Sequence, residues 1–204
     1  MQLINQTMKK SVLTYSFLLM TTILLSQELK ISIAPTISDV NFYNYHIGSS
    51  FGEPRFGINS NIDYLFVTNK RLEYGFGLGF QNSHVYLITP RPGNYDYSAS
   101  TEGVNILSIN FRSVYNLKKD FYITLVPSFD IQIKPNDLQH IRNQTGLGLS
   151  FGIGNNIKLN ESLSLNIEPR LWIHNLVPIR GESNPYNLTT AGINFGLAFG
   201  HKNT

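Results

Sequence analysis

Seventeen residues, Leu72 to Ile88, constrain what this chain can fold into more than any others: L-E-Y-G-F-G-L-G-F-Q-N-S-H-V-Y-L-I. Leu72, Tyr74, Phe76, Leu78 and Phe80 fall on one parity, and Glu73, Gly75, Gly77, Gly79 and Gln81 on the other. A side-chain period of two is a β-strand, here with one large apolar face and one small or polar face. The same alternation returns about eight times. Strands are expected over Leu29 to Asp39, Arg55 to Thr68, Leu72 to Ile88, Val104 to Tyr115, Phe121 to Lys134, Gly146 to Lys158 and Leu163 to Asn175. An eighth alternates Ile193, Phe195, Leu197 and Phe199 with Gly192, Asn194, Gly196 and Ala198.

The connections read long, short, long, short, long, short, long. Asn69-Lys70-Arg71, Leu117 to Asp120 and Leu159 to Ser162 are tight turns, whereas 41–52, 90–103, 135–145 and 178–187 are polar loops. Short turns at one end and longer loops at the other are the pattern of an antiparallel up-and-down transmembrane β-barrel. An even count of eight strands closes without leaving an edge.

Alternation alone does not say which face is outside, because a soluble barrel also alternates. The polar parity decides it. On the third, sixth and eighth strands it carries Gly, Ser, Asn and Ala, which suit a cramped lumen, instead of the Lys, Glu and Thr of a solvated exterior. The other parity is large and apolar on every strand, more than a soluble surface tolerates. Composition agrees, with charged residues at 14% and aromatics at 12%. In lipid, a closed barrel satisfies every backbone polar group internally. Aromatics near strand ends (Tyr64, Phe66, Tyr86, Tyr115, Phe121) fit interfacial girdles or ordinary strand packing.

Residues 1–26 read as a signal peptide, with Lys9 and Lys10 as the basic region, Val12 to Leu25 as the apolar region, and cleavage near Ser26. The apolar run is short of the roughly 20 residues that a spanning helix needs. Translation could start at Met1 or Met8. The barrel domain is then 27–204, with 14 basic residues against 13 acidic. That balance offers no basic stripe for nucleic acid. The absence of Cys excludes disulfides, thiolate metal sites and a cysteine nucleophile.

On this register Lys30, Arg55, Asp63, Glu73, Arg112, Asp130, Lys134, Glu168 and Arg170 point inward, five basic groups against four acidic. Isolated charges in a narrow lumen are costly, so a paired network that plugs the barrel is expected. A selective pore would instead favour one sign of charge and a wider barrel. The five histidines offer no Ser-His-acid arrangement by spacing: His174 has no Ser within two positions, and Ser83 and His84 face opposite ways. His46 has Ser49 and Ser50 nearby but no fixed acid, and His140 and His201 fall in loop and tail. Asp137 and His140 have a metal-like spacing without a third ligand, so no metal and no cofactor are expected. Trp172 is ambiguous. Its parity puts an indole in the lumen, but a bulge at Pro169 would turn it to lipid.

The signal Met8-Lys9-Lys10 to Leu25-Ser26-Gln27, the Gly-rich alternating strands, and the closing run Ala191 to Gly200 resemble the PorT-like small outer-membrane barrels of Bacteroidota, of OmpA/OmpX shape. The resemblance spans 27–204. It implies an outer-membrane location, lipid contact and, more distantly, an accessory role with a protein partner in envelope secretion or assembly. One departure is that Phe199 is followed by Gly200 to Thr204, which makes the usual terminal aromatic slightly internal. The expected function is non-enzymatic, structural or partner-binding. A lipid-modifying enzyme and a small passive pore are the alternatives.

Overall fold

In a computed structural model of the chain the described residues are 27–41, 51–67, 71–90, 97–117, 120–133, 143–179 and 187–200. The signal segment 1–26, Lys134, Asp137, His46, His140, His201 and most of the loop residues lie outside them. The described residues form β1 (Gln27–Asn41), β2 (Phe51–Val67), β3 (Leu72–Pro90), β4 (Tyr97–Asn116), β5 (Phe121–Ile133), β6 (Gly146–Lys158), β7 (Leu163–Pro178) and β8 (Asn187–Gly200). Each strand pairs antiparallel with its neighbours in chain order, and β8 returns to pair with β1, closing the barrel.

The pleat sorts side chains as the alternation demands. Outside, Ile31, Ile33, Ile62, Phe76, Leu78, Ile109, Phe151, Ile153 and Phe195 are all exposed. Inside are Lys30, Asn61, Asp63, Gln81, Arg112, Thr124, Asp130, Glu168 and Asn194, all buried. The core is therefore polar and the surface apolar, the inverse of a soluble domain. On β3 the apolar belt runs from Leu72 to Phe80. At roughly 3.3 Å per residue this is about 26 Å along the strand, or about 20 Å across the membrane at a tilt of roughly 40°, somewhat less than the roughly 25 Å lipid-facing belt of a membrane barrel. Tyr64, Phe66, Tyr74, Phe111 and Phe76 touch in sequence with ring centroids 5.3–6.5 Å apart, forming an aromatic patch toward the turn end.

The structure corrects two expectations and decides one open alternative. First, the segment expected to be a loop to Gly103 is strand from Tyr97, paired with β3 up to Pro90. Tyr97-Ser98-Ala99-Ser100-Thr101-Glu102 lacks the apolar alternation because, beyond the belt, neither face needs to meet lipid. Secondly, Arg55 does not enter the lumen. The β2–β3 register shifts between Pro54 and Ile58, and Pro54 lacks the N–H that the ladder would use. Arg55 emerges exposed, paired with Glu53 and stacked over Tyr86 on the outer wall. The structure also decides the orientation of Trp172, which the sequence left open, because the bulge in β7 is not at Pro169. Pairing with β8 is unbroken from Leu163 to Ile173, and the irregularity lies opposite Leu147–Leu149, where Asn175 has φ 53°. Trp172 therefore keeps its lumen parity and is buried.

Candidate functional site

Among the described residues the lumen is where polar and charged side chains are concentrated, and Glu168 is its hub. From β7, Glu168 Oε2 accepts hydrogen bonds from Arg112 Nη2 at 2.6 Å, Tyr122 OH at 3.0 Å and Lys30 Nζ at 3.3 Å. Its Oε1 accepts from Arg170 Nε at 2.7 Å and Thr124 Oγ1 at 2.8 Å. Arg112 Nη1 reaches Asp63 Oδ2 on β2 at 3.2 Å. Three cations thus surround two carboxylates, with contributions from β1, β2, β4, β5 and β7. Lys30 also lies 5.1 Å from the Tyr122 ring centroid, and Arg170 lies 5.5 Å from that of Trp172.

Glycine makes the room. A Cβ at Gly152 would sit 2.5 Å from Glu168 Oε1, and one at Gly77 would sit 2.0 Å from Asp63 Oδ1. At Gly154 it would sit 2.3 Å from Cζ of the Tyr122 ring. Small and long residues share the inner parity and alternate between neighbouring strands, with Gly77 paired to Asp63, Gly152 to Arg170 and Gly154 to Tyr122.

Nearer the loop end a second cluster centres on Asp130. Its Oδ1 accepts from Ser108 Oγ at 2.6 Å, and its Oδ2 lies 2.8 Å from His174 Nδ1. His174 Nε2 is buried without a hydrogen bond to the described residues. The three residues come from β4, β5 and β7, so the Asp-His pair was not visible as a local spacing. A polar relay continues through Ser38, Ser83, Thr190 and Gln81 to Asn59 and Asn61. Val40, Val85, Val104, Ile106 and Leu188 then pack together as an apolar cluster inside the loop end, and Leu65, Val114 and Tyr122 do so at the turn end. Glu73, near the turn end, accepts from Asn116 Nδ2 at 2.7 Å.

Of the nine predicted inward charges, Lys30, Asp63, Glu73, Arg112, Asp130, Glu168 and Arg170 lie inside. Lys30, Asp63, Arg112, Glu168 and Arg170 form one network, Asp130 pairs with His174, and Glu73 accepts from Asn116. Arg55 is outside, and Lys134 lies outside the described residues. Glu28 and Glu102 were missed. Both share the inner parity, but the expected strands began at Leu29 and Val104. The described buried charges are therefore three basic and six acidic, not nearly balanced as expected.

No family model matches the chain, and no curated protein matches it. Solved structures do. The outer membrane protein OprG from Pseudomonas aeruginosa is 12% identical, with 86% of this chain and 97% of that one covered, at a TM-score of 0.52. Neisserial surface protein A is also 12% identical, with 84% and 96% covered, at 0.50. The chain has the fold of the small eight-stranded outer-membrane barrels. At such identity the likeness extends to fold alone.

Proposed function

We propose that this protein is a small outer-membrane barrel that works through its surfaces instead of through a pore or a reaction. The loop end faces outward and the turn end faces the periplasm, with 1–26 removed as a signal peptide near Ser26 and 27–204 as the barrel domain. The observation that carries the reading is the way the lumen is filled. Arg112, with no exposed area, ties Asp63 to Glu168 across the axis, and apolar clusters lie toward both ends. An ion crossing would have to displace buried, mutually paired charges, which is unfavourable by several kcal/mol. With the lumen filled, function falls to the outer loops and the lipid face.

The finer reading is an accessory to an envelope secretion or assembly machine, as the PorT-like resemblance implies, without catalytic activity, metal or cofactor. A mild-detergent pull-down of the tagged chain from outer membranes, followed by mass spectrometry, tests it. A stoichiometric protein partner supports the accessory role. Recovery of the barrel alone leaves a stand-alone surface protein. Among the described residues the Asp130–His174 pair is the foothold for the enzyme alternative, since a carboxylate-oriented imidazole is the usual general base. His174→Ala should leave lipid A mass profiles unchanged, and an altered acyl pattern would overturn the non-enzymatic reading.

A further inference from the structure

On the outer wall of β2, β3 and β4 the surface changes character within two rungs. Ser60, Phe80 and Leu107 lie on one rung, and Ile58, Asn82 and Asn105 on the next. There Asn82 Nδ2 donates to Asn105 Oδ1 at 2.7 Å, so the wall has turned polar. Immediately beyond sit Arg55, the exposed His84, and Tyr86. The Arg55 guanidinium lies 4.8 Å from the Tyr86 centroid, with its side chain 48% exposed. The His84 ring lies over Gly103, where a Cβ would meet it at 3.7 Å. Phe56, 78% exposed, is the most exposed large apolar side chain described and flanks Arg55.

We propose that Arg55, lying over the Tyr86 ring, binds the phosphate of an outer-leaflet lipid headgroup, with Phe56 set into the apolar region beside it. The proposal rests on the outer-membrane orientation given above. A guanidinium presents a planar fork that matches phosphate oxygens, and stacking on an aromatic fixes that fork. Its height is right, because the last apolar residue of the β3 belt, Phe80, lies below the polar Asn82–Asn105 rung and Arg55 sits just beyond that rung, where headgroups begin. The occupant must also compete with Glu53, whose carboxylate holds Arg55 at 3.5 Å across two half-exposed side chains. An exposed pair at that distance is worth little and is readily exchanged for a doubly charged phosphate.

The test folds the full chain into phosphatidylcholine vesicles doped with lipid A, or with lipid A stripped of its phosphates. Lipid retained through purification is counted by mass spectrometry. Wild-type protein should retain the phosphorylated form preferentially. Arg55→Ala should lower that retention about fivefold, the worth of one basic group near an anionic surface. Arg55→Lys should fall between them. Glu53→Gln should raise retention about twofold, a gain that misfolding cannot produce. Excess inorganic phosphate should not release the lipid, because Phe56 and the acyl chains hold it as well. Equal retention of both lipids, or an Arg55→Ala variant that retains as wild type does, overturns the proposal while heat-modifiable insertion leaves the membrane reading intact. Failure to insert into any vesicle overturns both.

Discussion

At the residue scale, the network around Glu168 makes the sharpest demands. Removing one member of a buried ion pair leaves its partner charged and desolvated, at about 3–5 kcal/mol. Asp63→Leu and Arg112→Leu should each lower the heat-modifiable gel midpoint. The double variant should cost clearly less than the two together, because each single change already orphans the other group. Additive losses would mean that the pair does not act as one. Glu168→Leu should be the most damaging of the set, since it strips Lys30, Arg112 and Arg170 of their common acceptor. Gly154→Ala tests the complementarity from the other side. Its Cβ would meet the Tyr122 ring at 2.3 Å, so an overpacking loss of about 1–3 kcal/mol is expected in urea unfolding from detergent. These inward positions were legible in the sequence because parity along a strand fixes the face. Their partners were not, because Lys30 and Glu168 are 138 residues apart and meet only once the barrel closes.

At the element scale, regular strands were legible where lipid lies on one side, and boundaries failed where it does not. β6 was expected over Gly146 to Lys158 and is found there, whereas β4 starts at Tyr97, before any alternation begins. Bulges escaped for a related reason: they change register without changing composition. The sequence leaves a bulge at Pro169 as one of two open readings of β7, yet Pro169 faces outward in an unbroken ladder with β8 and the chain instead bulges near Asn175. A left-handed backbone at a buried non-glycine residue is costly and persists only when its surroundings enforce it. The Asn175 side chain donates to the Asn143 carbonyl at 3.4 Å. Asn175→Gly should therefore be tolerated better than Asn175→Ala, with a gap of about 1 kcal/mol in unfolding free energy from the φ preference alone. An alanine variant as stable as the glycine one would mean that the bulge relaxes.

At the scale of the whole molecule, the chain inverts the usual distribution, placing charge within and hydrocarbon without. On the proposed reading its function is expressed at the loop end and on the belt, and the filled lumen acts as the spine that holds them in register. Planar-bilayer recordings of the folded barrel should show no discrete conductance steps, and steps would mean that the plug opens. The central claim, an apolar face in lipid around a polar lumen, can be read from fluorescence, because Trp172 is the sole tryptophan of the chain. It is buried in the lumen beside Leu171, which faces outward. The decisive measurement is quenching by acyl-brominated lipids. Wild-type Trp172 should be little quenched, and a Leu171→Trp, Trp172→Phe variant strongly quenched. The reverse order would turn the barrel inside out and contradict the account.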